Sequence, residues 1–161
     1  MLEVNSPIGN IFVDEGFDEL KNGNCEKLKI SRMELERRIL RRKTDRGTDV
    51  GLNLEQGVKL RHGDVIKNGD MKIVVEQLPE KIITVRLKNK KMADVMLLLG
   101  HIIGNRHRPI SIKGDEVSFP IQADSEKDVF TKLFQNIINH IEITIEEKIF
   151  FPHSGADIHE H

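Results

Sequence analysis

A chain of 161 residues, 38% hydrophobic and 32% charged, is long enough for one domain or two small ones and too rich in apolar residues to stay disordered. Its formal net charge of -1 excludes a general attraction to nucleic acid or to an anionic membrane surface. The single cysteine, Cys25, excludes an internal disulfide and a thiolate zinc cluster.

In chain order, the first half reads as β structure. Leu2/Val4 and Ile11/Val13 alternate on either side of Pro7-Ile8-Gly9-Asn10 and predict a hairpin. Asn22-Gly23-Asn24 marks a loop, and Leu28 and Ile30 start a short strand. Ser31 and Glu34 have the spacing of a capping box around a single helical turn. The basic run Arg37–Lys43, a turn at Asp45-Arg46-Gly47 and the alternating Val50, Leu52 and Leu54 predict a hairpin with a basic first arm. Asn68-Gly69, between Val65-Ile66 and Met71–Val75, predicts another. Short strands with such frequent turns predict a small all-β domain over residues 1–78.

Pro79 marks a change of character. Beyond it the pattern predicts a strand (Ile82–Leu87), a helix (about Lys90–Ile103) and two strands (Ile110–Lys113 and Val117–Ile121) joined at Lys113-Gly114-Asp115. A second helix (about Glu126–His140), opened by a capping box of Ser125 and Asp128, and a last strand (Ile141–Glu146) complete the order. That order is βαββαβ, a ferredoxin-like domain over residues 79–148, followed by a polar tail over 149–161 that is expected to be flexible. The chain as a whole is therefore expected to be α+β with two domains.

Signatures of catalysis are missing. There is no phosphate-cradling glycine loop, no Gly-x-Ser-x-Gly elbow and no His-Glu-x-x-His pair, so no enzyme is expected. The apolar run Met92–Ile103 is too short to cross a bilayer. The start, Met1-Leu2-Glu3-Val4, has no basic and apolar leader, and a cytoplasmic location is the default. The basic hairpin Arg37–Arg46 keeps an RNA-binding module open as an alternative. Alternating arginines also discourage edge-to-edge strand pairing, and a chain without Trp or Tyr has few rings on which to stack bases.

Histidine placement is the better lead. Four of the seven histidines, His107, His153, His159 and His161, lie at the first helix's exit or in the tail. Gly104 is expected to stop that helix and leave His107 in the exit loop. Neutral imidazole suits nickel, zinc or copper, and a tail supplies ligands at little structural cost; a plain polar tail is the alternative. Asp94 and His101, seven residues apart, share one stripe of the helix, which places His101 on its more polar side. The apolar remainder of the helix is wide enough to serve either deep burial or a subunit interface.

These residues together resemble the UreE family, the urease accessory metallochaperones. In the first half the likeness rests on Arg41-Arg42-Lys43-Thr44-Asp45-Arg46-Gly47, Asp49-Val50-Gly51-Leu52 and Leu60-Arg61-His62-Gly63-Asp64-Val65-Ile66. In the second half it rests on Gly104-Asn105-Arg106-His107-Arg108-Pro109 and Phe151-Pro152-His153-Ser154-Gly155-Ala156. The resemblance implies an N-terminal β domain that binds partner proteins and a ferredoxin-like domain that binds nickel. It also implies a homodimer that passes nickel towards the urease apoprotein with other accessory proteins, including an accessory GTPase. Many members carry Tyr-His-Leu before the glycine; here the corresponding position is Ile102, and His101 lies one residue earlier, about 100° around a helix.

Ligand arithmetic then sets a specific expectation. A divalent ion of this class takes at least about four donors, and His107 supplies one. A two-fold axis beside His107 doubles that number. One nickel is therefore expected per dimer, between two His107 side chains, with His153, His159 and His161 completing the shell.

Overall fold

The computed structural model describes residues 1–89 and 91–153. The chain forms two compact units, Met1–Leu78 and Pro79–His161. It is an α+β protein, with an all-β N-terminal domain apart from short helical turns.

The first unit packs two sheets. One contains β1 (Leu2–Val4), β4 (Ile39–Lys43) and β5 (Asp49–Asn53) in the order β1-β5-β4. The other contains β2 (Gly9–Asn10), β3 (Glu26–Ile30), β6 (Asp64–Asn68) and β7 (Met71–Gln77) in the order β2-β6-β7-β3. Leu28, Ile30, Leu40, Val50, Leu52, Ile66, Ile73 and Val75 form the core of this unit. Full burial of each such side chain contributes about 1.5–3 kcal/mol. The Ser31–Glu34 box caps the single turn α1 (Arg32–Leu35) with both reciprocal bonds, and the β4–β5 and β6–β7 hairpins form.

The hairpin expected around Pro7–Asn10 does not. β1 runs parallel to β5, with Val4 opposite Leu52, while β2 pairs with β6. The reason is burial: Val4 belongs to the main core, whereas Ile11 packs with Val65 and Val74 in a separate cluster. Val4 and Ile11, drawn into different cores, cannot also lie opposite each other in one hairpin. Asn10 closes the bend instead, donating to the His62 carbonyl and to Asp64 and accepting from the Phe12 N–H. Gly63 is required there: its φ is 87°, and a Cβ would lie 2.4 Å from the Phe12 ring.

The second unit is a four-stranded antiparallel sheet. Its strands are β8 (Glu80–Leu87), β9 (Ser111–Lys113), β10 (Glu116–Pro120) and β11 (Ile141–Lys148), in the order β11-β8-β10-β9. The helices α2 (Ala93–Asn105) and α3 (Glu126–Leu133) alternate with them as βαββαβ. Ile83, Val85, Leu99, Ile103, Phe119, Phe130 and Phe134 share one core. The Phe119 and Phe130 rings meet at 4.5 Å between centroids, tilted by 53°.

The second helix is shorter than its apolar pattern predicts. It ends at Leu133 and continues as a 3₁₀ stretch, Gln135–His140. The Ile137 N–H bonds to the Phe134 carbonyl, so the tighter turn brings Phe134 and Ile137 into the core three residues apart rather than four. Ser125 does not cap α3 through its side chain. Within residues 149–153, Phe150 is 2% exposed and the His153 backbone N–H bonds to the Ile110 carbonyl.

Every strand of the second sheet comes from residues 80–148. A fragment beginning at Glu80 should therefore fold alone, read as a cooperative melt with native-like circular dichroism. An unfolded fragment beside a stable intact chain would refute that independence.

Candidate metal centre

α2 forms because Val95, Leu99 and Ile103, four apart, make one stripe buried against the sheet. The opposite side carries Leu97 at 75% exposure and Leu98 at 50%, with Gly100, His101 and Gly104 also exposed. An added Cβ at Gly100 or Gly104 would meet nothing within 4 Å, so packing among the described residues requires neither glycine.

The helix does not stop at Gly104. It runs through to Asn105, where the Arg106 N–H bonds to the carbonyls of Ile103 and Gly104. The His107 N–H then donates to the Gly104 carbonyl at 2.9 Å. His107 itself takes the left-handed conformation, with φ at 52°, the one positive φ at a non-glycine among the described residues. Glycine or asparagine normally occupies this position after a helix, because a Cβ there costs about 1–2 kcal/mol. The imidazole is thus exposed at the negative end of the α2 dipole, where a cation is favoured.

The segment beyond His107 is anchored. Arg108 donates to the Pro120 carbonyl at 3.1 Å and pairs with Glu126 at 2.5 Å, its guanidinium lying over the Phe130 ring. Glu126 also accepts the N–H groups of Gln122 and Ala123, in the loop that leads into α3. Desolvation alone would raise this carboxyl, but those two N–H groups and Arg108 outweigh it and hold the group below the usual carboxylate range. A depressed folded value means stability that is complete above about 4.5, the unfolded value, and is lost as pH falls through the folded one. Glu126→Gln should cost about 2 kcal/mol at neutral pH and flatten the acid side of the stability profile, read by urea unfolding at several pH values. An unchanged profile would mean this carboxylate anchors nothing.

His153 is exposed, and its N–H bonds to the Ile110 carbonyl at 2.6 Å. Ile110 is three residues from His107, a span of at most about 11 Å. The fold therefore brings the first tail histidine beside the segment that carries His107. His159 and His161 lie outside the described residues. His101 is exposed on α2, with its Nε2 at 3.2 Å from the Asn105 amide nitrogen. His62 is occupied structurally, since its Nδ1 accepts the Gln77 N–H at 3.1 Å. Among the described residues, no three His, Cys, Asp or Glu side chains gather closely enough to hold a metal ion. An open groove of about 320 Å³ runs beside the helix end, lined by Ile102, Asn105, Arg106 and Leu133.

Sequence reasoning missed the left-handed backbone at His107, because Gly104 and Asn105 are the residue types that normally adopt it. It also missed the clasp of Arg108 on Glu126, for which the sequence carries no periodic signal. The alternative nucleic-acid surface is partly engaged within the chain. Arg41 forms a fork on Asp49, Arg42 on Glu34, and Arg46 donates to the Asn24 carbonyl.

The fold and this histidine-bearing helix exit define a two-domain protein, a β domain joined to a ferredoxin-like domain. Comparison with known proteins makes the assignment specific. The UreE urease accessory protein N-terminal domain matches residues 4–77, and the C-terminal domain of the same family matches residues 80–161. The chain belongs to the UreE family of urease accessory proteins. A urease accessory protein UreE of Staphylococcus epidermidis is 32% identical over 117 residues, covering 71% of this chain and 72% of the relative. That of Flavobacterium johnsoniae is 34% identical over 136 residues (75% and 78%), and that of Natronomonas pharaonis 34% over 132 residues (77% and 61%). Among the described residues, no helix is long and apolar enough to cross a membrane.

Proposed function

We propose that this chain is a cytoplasmic nickel carrier that delivers Ni(II) during assembly of the urease active site and catalyses no reaction itself. One ion is held per homodimer between two His107 side chains, with His153, His159 and His161 supplying the remaining donors. Zinc and copper compete for the same imidazoles. The partners are the urease apoprotein and other urease accessory proteins, including the accessory GTPase.

The observation that carries this reading is His107 itself, an exposed imidazole kept in a left-handed backbone that glycine would occupy at lower cost. Family membership and the lack of a complete ligand set among one chain's described residues support a site shared between copies. The exposed Leu97 and Leu98 and the open surface over Gly100 and Gly104 give α2 a face on which a second copy can pack.

Calorimetric titration of the tag-free protein with nickel tests the reading. The wild type should bind one ion per two chains with high affinity, and His107→Ala should abolish that site while the dimer persists. Truncation after His153 should weaken binding and leave the melting temperature of the metal-free protein unchanged. Wild-type nickel affinity in His107→Ala would overturn the proposal.

A further inference from the structure

Residues 37–46 carry Arg37, Arg38, Arg41, Arg42, Lys43 and Arg46 against one acid, Asp45, in a chain whose net charge is -1. Nickel has no use for this cluster, since it repels cations. β4, which holds half of these basic residues, is an edge strand, with β5 its one neighbour among the described residues.

The hydrogen-bond alternation of an antiparallel pair fixes which backbone groups of β4 face outward. The Thr44 N–H bonds to the Thr48 carbonyl, and the Leu54 N–H bonds to the Arg38 carbonyl. In the β4–β5 register these are opposing pairs of the hydrogen-bonded kind. The bonded positions are therefore Arg38, Leu40, Arg42 and Thr44. Ile39, Arg41 and Lys43 direct their backbone groups away from β5, and their N–H groups meet no acceptor among the described residues. Only the Arg41 carbonyl is taken, by the Arg42 guanidinium at 2.8 Å.

The side chains of the same three residues stand exposed on one face: Ile39 at 73%, Arg41 at 70% for its side chain, and Lys43. Arg41 places Nε and Nη2 on Asp49, leaving Nη1 for another acceptor. Neither Arg37 nor Lys43 has a side-chain hydrogen bond or ion pair among the described residues. The strand is also held ready at its turn end. The Asp45 N–H bonds to the Lys27 carbonyl, the Lys27 N–H bonds back to the Asp45 carboxylate, and Thr44 donates to the buried Glu26.

We infer that the β4 edge docks an extended acidic segment of a partner protein as an added strand, with carboxylates at alternate positions facing Arg41 and Lys43 and an apolar residue beside Ile39. Backbone bonds supply the affinity in this mode, and alternate side chains supply the choice of partner. The same charges exclude another copy of β4, since antiparallel self-pairing would set arginine and lysine opposite each other. An acidic strand relieves that repulsion. This inference deepens the partner-binding part of the proposed function and is independent of nickel.

The test uses the intact, metal-free chain and a fluorescent peptide, acetyl-Thr-Glu-Thr-Glu-Thr-Ile-amide, followed by anisotropy. The peptide should bind saturably, weaken with added salt, and lose binding when lysine replaces its glutamates or when alternate amides are N-methylated. Arg37→Glu with Lys43→Glu should weaken it by about tenfold or more, with an unchanged melting curve. Should that double variant fail to fold, the salt and N-methylation arms on the wild type still decide. Equal binding of the N-methylated peptide would overturn strand addition, and equal binding by the folded double variant would overturn the charge reading. Displacement of the peptide by polyuridylic acid, or loss of self-association in the double variant, would assign the edge to RNA or to a second copy and overturn the inference.

Discussion

Replacing His107 with glycine should raise the stability of the metal-free protein by about 1 kcal/mol and abolish the nickel site in the same step. The gain follows from φ at 52°, where an L side chain is strained and glycine is not. The loss follows from removing the imidazole proposed as the ion's first donor. His107→Ala separates the two effects: it removes the ligand but keeps a Cβ in the left-handed region, so it should show the loss without the gain. Urea unfolding and nickel titration of the three proteins read both quantities. If glycine destabilises the fold, the imidazole is a packing element, and its conformation reflects no ligand role.

Charging the open face of α2 should have the other large effect. Leu97→Glu with Leu98→Glu would place carboxylates in the apolar face on which a second copy is proposed to pack, at a cost of about 3 kcal/mol or more on dimerisation. The variant should sediment as a monomer and bind nickel roughly a hundredfold more weakly, because each chain keeps only its own His107. Both leucines are exposed within the chain, so the fold should survive the change. A monomer with wild-type nickel affinity would mean that one chain suffices. A persistent dimer would place the interface elsewhere.

Much of the fold was legible because burial writes a period into the sequence. Val50, Leu52 and Leu54 alternate and are buried, and Val95, Leu99 and Ile103 repeat every four residues and are buried. Turn chemistry was equally local, as at Asn68-Gly69 and in the Ser31–Glu34 box. The misreadings share one physical origin, the competition of distant residues for a local segment. β1 left its expected hairpin for Val50 and Leu52, and α3 tightened after Leu133 so that Ile137 reached the core. Ser125 takes a helical backbone and makes no side-chain cap, while Arg108, eighteen residues before Glu126, fixes that carboxylate against the loop before α3.

Local spacing was enough to place an α+β chain in two parts changing at Pro79, a second half running βαββαβ, and an imidazole just past the exit of α2. These are consequences of composition and short-range spacing, which any local segment expresses on its own. The tertiary structure alone decided that the left-handed residue is His107 rather than Gly104, that His153 is tied to Ile110, and that the outward N–H groups of β4 belong to its basic, exposed positions. Each of these depends on where a helix ends against its core, or on which strand lies alongside. Those choices are made by contacts between residues far apart in the chain, so no window of sequence contains them.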